Sequence, residues 1–193
     1  MGNQILEAAS ASLKAGDVIA YPTEAVWGIG CDPFNQTSVN KLFKIKGKKE
    51  EGLSVLINNK KLISEYCLIT SKHKNIIDKL FPGPVTVILK SKVKFAKGVT
   101  RNENLAIRIP NNKPAISLVE QHPIITTSAN IDGMDVVKNI VEAKKIFGQS
   151  CIYLTGEEPS GIESTIIDLT EKYPKIVRIG ALYGSTLEDI IGH

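Results

Sequence analysis

Apolar positions along this chain follow two different periods. Residues 4–14 carry apolar side chains at helical spacing, whereas VIAYP at 18–22 is a short apolar run typical of a buried strand. The same patterns predict the remaining elements. Helices are predicted at 4–14, 36–46, 60–80 (as one or two), 113–121 and 138–147, and strands at 18–22, 53–57, 85–90, 104–110, 123–130, 151–154, 164–169 and 175–179.

The order of these elements predicts the fold class. Helices alternate with strands through most of the chain, and three strands follow one another near its end. This order is typical of an α/β fold with a twisted, open, mixed sheet and flanking helices. A length of 193 residues without repeats or linker-like segments favours a single domain over residues 1–193.

Composition indicates the cellular compartment in which we expect the protein. No apolar run approaches the roughly 18 residues of a membrane span, and the N-terminus lacks the basic start and apolar core of a signal peptide. The cysteines are odd in number and widely spaced, which argues against a disulfide framework or a zinc site: Cys31, Cys67 and Cys151. We therefore expect a cytoplasmic protein that makes no membrane contact.

Common nucleotide and metal motifs are absent from the sequence. No G-x-x-x-x-G-K-[ST] segment occurs, which excludes a P-loop, and GIGCDP lacks the last glycine of the dinucleotide fingerprint. The histidines show no metal-ligand spacing: His73, His122 and His193. The net charge of +4 suits an anionic ligand but is weak evidence for nucleic-acid binding.

Small hydroxyl and amide residues follow several predicted strands. Thr23 follows AYP, Ser128 and Asn130 follow IITT, and Ser164 opens the strand STIIDL. One such residue is ordinarily a turn or a helix cap. Because open α/β sheets bind ligands beyond the carboxyl ends of their strands, three such segments in a short chain predict one shared groove at the strand ends.

Cationic residues are interleaved with these segments. KIKGKKEEG places four lysines around a glycine. Such a stretch is usually a solvated charge run, but the glycine and the strand directly after it indicate a loop, in which an ammonium can reach a phosphate. Arg108 lies inside the apolar run LAIRIP, where an unpaired charge is costly, and Arg178 lies similarly in KIVRIG. Together these cations predict a pocket for anionic oxygens.

Five segments in one order carry a family resemblance. AYPTEAVWGIGCDP, LFPGPVT, AIRIP, TTSAN and SGIESTIIDL followed by VRIG resemble the threonylcarbamoyl-AMP synthases of the YrdC-like (TsaC) group over residues 5–184, in their short, single-domain form. The resemblance implies that the segment after Tyr-Pro-Thr lines a groove for L-threonine and ATP. Gly28 and Gly30 would then allow close backbone approach and unusual φ values, and Pro22 would fix the exit of the strand.

The resemblance also implies a reaction and a set of roles. L-threonine, bicarbonate and ATP would give L-threonylcarbamoyl-AMP and pyrophosphate, with Mg²⁺ carried on the triphosphate and no metal ligand expected from the protein. The implied catalytic residues are Lys46, Lys48, Ser128 and Asn130, which with Arg178 would also bind ATP. The residues implied for threonine are Thr23, Arg108, Thr126 and Ser164, with Arg108 on the carboxylate.

The lysine-rich loop departs from the family pattern. The usual Lys-x-Arg-Pro is replaced here by KGKK at 46–49. Either Lys48 takes the place of the arginine, or the loop is shifted so that Lys44 and Lys46 form the pair. Lys49 is expected to face solvent in both registers.

Two other functions stay open at this point. One is a double-stranded RNA or ribosome-binding module that uses the basic groove, and the other is a carbamoyl-transfer module of the hydrogenase-maturation type. For the synthase, the resemblance implies hand-off of the product to the tRNA threonylcarbamoyl transferase complex, and it leaves open weak binding to RNA or tRNA.

Overall fold

The computed structural model describes residues 2–49, 51–120 and 122–191, with side chains of the first helix described from Glu7 onward. The helices are α1 (Gly2–Lys14), α2 (Gln36–Lys46), α3 (Lys61–Tyr66), α4 (Ser71–Leu80), α5 (Lys113–Leu118), α6 (Ile140–Phe147) and α7 (Ser185–Ile191). The strands are β1 (Ile19–Pro22), β2 (Trp27–Gly30), β3 (Ser54–Leu56), β4 (Val85–Lys90), β5 (Asn104–Arg108), β6 (Ile124–Ser128), β7 (Ile152–Tyr153), β8 (Thr165–Asp168) and β9 (Lys175–Arg178). None of the described helices is long and apolar enough to cross a bilayer.

The described strands form one sheet in the order β7-β1-β2-β6-β3-β5-β4-β8-β9. β1 is parallel to β7, β3 to β5 and β4 to β8, and the other neighbouring pairs are antiparallel. The prediction of an α/β fold with a mixed, open sheet and flanking helices is confirmed. The division of residues 1–193 into one domain stays a prediction.

The predicted helices and strands are present with shifted ends, and the 60–80 segment is two helices. Two elements were not predicted, β2 and α7. β2 was missed because WGIG has two glycines and no apolar run, although it pairs with β1 from Ile19↔Gly30 to Pro22↔Trp27. The segment AYPTEAVWGIG is therefore a β-hairpin. The expectation of unusual φ values at Gly28 and Gly30 is wrong, because neither glycine has a positive φ.

Helix α2 is capped at both ends, and its C-terminal cap sets the direction in which the lysine-rich loop leaves the helix. The Asn35 side chain accepts hydrogen bonds from the backbone N–H groups of Thr37 and Ser38, which caps the helix. Gly47 follows the last residue with a φ of 78°, a left-handed conformation in which glycine is favoured. The chain therefore turns sharply between Lys46 and Lys48.

Apolar residues pack on both faces of the sheet. Ile19 and Tyr21 of β1 belong to one buried cluster with α1 and α5, whereas Ala20 between them belongs to the other. That second, larger cluster contains buried side chains of α2, α3, α4, α6 and α7. Alternation of side chains along the strands places the two clusters on opposite faces. Helices therefore flank the sheet on both sides.

The three cysteines are buried and free: Cys31, Cys67 and Cys151. Burial raises the pKa of each thiol to about 12. The side chains therefore act as small apolar groups of the core at neutral pH.

Substitution of Gly30 tests how closely β2 and β6 approach each other. A Cβ atom at this position would lie 1.6 Å from the carbonyl oxygen of Ile125, which is backbone and cannot rotate away. We expect Gly30→Ala to lower the free energy of unfolding by about 3 kcal/mol or more. Urea unfolding followed by circular dichroism measures this loss.

The matched control is Gly28→Ala in the same strand. Its Cβ would meet the Thr126 hydroxyl at 3.1 Å and the Tyr21 ring at 3.3 Å, both of which are side chains that can shift. We expect a change within about 1 kcal/mol. Equal stability of the two variants would contradict the close approach of β2 and β6.

Candidate functional site

A polar cavity of about 430 Å³ lies on the sheet face that α1 and α5 share. Strand pairing determines which side chains face the cavity, because paired residues project to the same side of a sheet. Ser54 pairs with Thr126, and Leu56 pairs with Arg108, so these side chains share one face. The floor is formed by residues within seven strands: Gly28, Ser54, Thr86, Arg108, Thr126, Ser128, Ile166 and Arg178. The position predicted for the groove, at the strand ends, has to be corrected. The cavity lies across one face of the sheet, and loops complete its rim.

The cavity brings together most of the residues singled out in the sequence. Its lining includes Thr23, Lys48, Arg108, Thr126, Ser128, Ser164 and Arg178. Lys46 and Asn130 are not among the lining residues. Sequence reasoning missed Thr86, a polar residue between Val85 and Val87 that alternation alone could have placed on the ligand side.

Thr23 closes the loop of the β1–β2 hairpin. Its hydroxyl donates to the carbonyl of Val26 at 2.8 Å and accepts from the N–H groups of Ala25 at 3.1 Å and Val26 at 3.3 Å. A hydroxyl has one donor and two acceptor positions, so these bonds use its full capacity. The geometry favours a role for Thr23 in shaping the loop over the predicted hydrogen bond to an amino acid.

Lys46 lies beneath the Ser128–Asn130 turn and is 1% exposed. Its ammonium donates to the carbonyl of Ser128 at 2.9 Å and to the side-chain oxygen of Asn130 at 3.2 Å. The same Asn130 oxygen accepts from the Ser128 hydroxyl at 2.8 Å. Lys46 and Asn130 therefore fix the position of Ser128 at the cavity, and the direct ligand contact predicted for both stays a prediction.

The lysine-rich loop takes the register in which Lys48 reaches the cavity. Lys48 lines the cavity, and its ammonium lies 2.5 Å from the carboxylate of Asp132, with both side chains about half exposed. Lys44 lies in a different groove, beside Ile45 and Ile131. Lys49 is exposed, as expected, but also lines the rim.

Arg178 holds the segment that carries Ser164. Its guanidinium donates to the carbonyl of Ser164 at 3.0 and 2.9 Å and contacts the carboxylate of Glu163 at 2.8 Å. The buried Ser164 hydroxyl lies 3.1 Å from that of Thr86. Gly180 makes this packing feasible, because a Cβ there would lie 2.1 Å from the carbonyl oxygen of Glu163.

Arg108 projects from β5 into the cavity and is 5% exposed. Its Nη2 atom lies 2.7 Å from Oε1 of Glu24, a residue of the hairpin loop that sequence reasoning did not assign. The Tyr21 phenol lies nearby on the same face, where burial raises its pKa well above the usual value and keeps it neutral. Three of the cations that line the cavity thus have a carboxylate partner: Arg108 with Glu24, Arg178 with Glu163, and Lys48 with Asp132.

Metal binding by the protein itself finds no support in the described part of the chain. No cluster of three or more His, Cys, Asp or Glu side chains with a suitable arrangement occurs there. The cavity instead offers cationic and hydroxyl donors, which suit an anionic substrate.

Comparison with known proteins identifies the family. The family model for Sua5, YciO and YrdC proteins, described as telomere recombination, matches residues 11–180. The chain belongs to the Sua5/YciO/YrdC family. A threonylcarbamoyl-AMP synthase from Photorhabdus laumondii is 33% identical over 158 residues, which cover 78% of this chain and 84% of that protein.

A longer relative and its structure extend this similarity. A threonylcarbamoyl-AMP synthase from Pyrococcus abyssi is 30% identical over 191 residues, which cover 95% of this chain and 56% of that protein. The crystal structure of P. abyssi Sua5 complexed with L-threonine matches with a TM-score of 0.91 at 29% identity, covering 100% of this chain and 58% of that one. The chain thus spans little more than half of the Pyrococcus protein.

Lys46→Met tests the supporting role of the buried ammonium. Methionine matches the length of the stem but leaves the carbonyl of Ser128 and the Asn130 oxygen without this donor. We expect a loss of about 2 kcal/mol in the free energy of unfolding, measured by urea titration. Lys44→Met on the exposed side of the same helix is the control, with an expected change of about 0.5 kcal/mol or less. Equal stability of the two variants would contradict the role of Lys46 as a buried donor.

Proposed function

We propose that this chain is a threonylcarbamoyl-AMP synthase, which converts L-threonine, bicarbonate and ATP to L-threonylcarbamoyl-AMP and pyrophosphate. The observation that carries the proposal is the cavity itself. It combines Arg108, Arg178 and Lys48 with a floor of hydroxyl groups, in a chain whose relatives from Photorhabdus and Pyrococcus are threonylcarbamoyl-AMP synthases.

The amino acid is held at the Arg108 side of the cavity. The planar guanidinium binds the threonine carboxylate, for which two parallel hydrogen bonds are the favoured geometry. Thr126 and the Thr86–Ser164 pair supply hydroxyl groups on the same sheet face, within reach of the substrate hydroxyl. Thr23 contributes by holding the hairpin loop in place.

ATP occupies the side of the cavity bounded by Lys48, Ser128 and Arg178. Lys48 and Arg178 offset the charge of the phosphates. The Ser128 hydroxyl, whose backbone Lys46 holds in place, turns its one O–H from Asn130 to a phosphate or carbamate oxygen. At these contacts the nucleotide competes with Glu163 for Arg178 and with Asp132 for Lys48. Both carboxylates are about half exposed, so these pairs are weak and exchange readily.

The chemistry proceeds between bound anions. The amine of threonine adds to CO₂ from bicarbonate and loses a proton, giving a carbamate. A carbamate oxygen then bonds to the α-phosphorus of ATP, and the bond from that phosphorus to the bridging oxygen breaks, releasing pyrophosphate. Positioning and charge neutralisation by the cavity side chains lower the barrier.

Mg²⁺ arrives on the triphosphate in this proposal. The cation is held by phosphate oxygens and water. The product, a mixed anhydride, passes to the tRNA threonylcarbamoyl transferase complex, in a cytoplasmic setting. Weak binding of RNA or tRNA through the lysine-rich loop is compatible with the exposed cations at the cavity rim.

Pyrophosphate release tests the proposed reaction. With ATP and Mg²⁺ present, we expect release only when L-threonine and bicarbonate are both added, together with formation of an AMP-linked product. Omission of either substrate from a degassed buffer is the control. ADP and phosphate as the main products would overturn the proposal.

The same experiment separates the other functions. Pyrophosphate release that depends on carbamoyl phosphate and not on threonine would identify a carbamoyl-transfer module. Salt-sensitive binding of double-stranded RNA without ATP turnover would identify an RNA-binding module.

Lys48→Ala tests the register of the lysine-rich loop. Loss of a cation used in the transition state lowers kcat/KM, and because the ammonium is about half exposed we expect roughly a 10- to 100-fold loss. Lys48→Arg should keep much of the activity, because the charge and the reach persist. Lys49→Ala should cost little, and Lys44→Ala, outside the cavity, should behave like wild type. A severe Lys44→Ala with a silent Lys48→Ala would establish the shifted register.

A further inference from the structure

The Arg108–Glu24 ion pair differs from the other two pairs of the cavity. The Arg108 and Glu24 side chains are only 6% and 18% exposed, whereas the side chains of the other pairs are between 37% and 49% exposed. An exposed pair exchanges partners readily. A buried pair keeps its partner, because removal of one member leaves an uncompensated charge in the interior.

The contact between these two side chains is electrostatic and poorly directed. Nη2 of Arg108 and Oε1 of Glu24 are 2.7 Å apart, yet neither atom meets the angular requirements of a hydrogen bond. Nε of Arg108 and both carboxylate oxygens of Glu24 are likewise buried without a hydrogen-bond partner among the described residues. The charge of the guanidinium is thus balanced by Glu24, while its Nε and Nη2 donors are buried without a hydrogen bond to the described part of the chain.

The hairpin loop fixes the position of Glu24. On one side, the Thr23 hydroxyl closes the loop with hydrogen bonds to Ala25 and Val26. On the other side, the N–H of Ser160 donates to the carbonyl of Glu24 at 3.3 Å, and the N–H of Gly161 donates to that of Ala25 at 2.8 Å. Glu24 itself is not part of the cavity lining, so it acts through Arg108.

We infer that Glu24 is a positioning residue for the amino-acid subsite. It keeps the Arg108 guanidinium buried and oriented, so that the carboxylate of the incoming amino acid meets donors that are already in place. The inference rests on the proposed function, in which Arg108 binds the threonine carboxylate. It predicts a specific loss of amino-acid affinity when the charge of Glu24 is removed.

Glu24→Gln is the test, because it removes the charge and keeps the shape. We expect the KM for L-threonine to rise at least about 10-fold, while the KM for ATP and the kcat at saturating threonine stay within about 3-fold of wild type. Calorimetric titration with L-threonine alone should show the same loss of affinity. Glu24→Asp keeps the charge at shorter reach and should recover part of it. Glu157→Gln, an exposed glutamate of the neighbouring loop, is the matched control and should bind threonine like wild type.

A double-variant cycle shows whether Glu24 acts through Arg108. In an Arg108→Ala background, Glu24→Gln should cause no further loss of threonine affinity, because the group that it positions is gone. Additive losses would overturn the inference, as would an unchanged threonine KM in a folded Glu24→Gln protein. Failure of both Glu24 variants to unfold cooperatively would assign the pair to stability and would overturn it too. A wild-type protein that neither binds threonine nor releases pyrophosphate would instead refute the proposed function.

Discussion

The register of strand β6 determines which hydroxyl groups it presents at the centre of the cavity floor. β6 pairs with β2 on one side and β3 on the other, and a slip by one residue would exchange Thr126 for Ile125 on the cavity face. Leu56 and Ile124 lie on that same face, fully buried beneath α1 and α5. Burial of these apolar side chains at one end of the face therefore fixes the register of β6, and that register presents hydroxyl groups at the other end of the same face. Gly30 completes the constraint, because a side chain there would meet the β6 backbone.

The cations of the site divide into those that support and those that contact a substrate. Lys46 is a buried charge that organises the turn carrying Ser128, whereas Lys48, two residues later, faces the cavity. The left-handed Gly47 between them produces this separation, since it ends α2 and reverses the direction of the chain. Because of this glycine, Lys46 is buried while Lys48 is accessible from the cavity.

Periodicity predicted most of the fold because apolar runs mark both strands and helices. It failed at β2, where WGIG forms a strand by backbone pairing although two of its four residues are glycines. The site was predictable where a residue type stands out locally, as Arg108 does in an apolar strand. It was not predictable for Glu24, since its importance comes from Arg108, more than 70 residues away in the sequence. Alternation could have placed Thr86 on the ligand side, but its contact with Ser164 is equally distant in the sequence. The role of Lys46 depends on burial, which composition alone does not reveal.

The three ion pairs have different consequences for ligand binding. Substrate phosphates compete with Glu163 for Arg178 and with Asp132 for Lys48, and solvent around these pairs makes an exchange of partners inexpensive. The same exchange at Arg108 would leave the Glu24 carboxylate buried and unpaired, which is strongly unfavourable. A substrate carboxylate must therefore add to the Arg108–Glu24 pair instead of replacing Glu24. It can do so because the guanidinium has five N–H donors and Glu24 lies against only one of its nitrogens, Nη2. Amino-acid binding at this subsite then leaves the hairpin in place, whereas nucleotide binding can exchange the exposed carboxylate partners of Lys48 and Arg178.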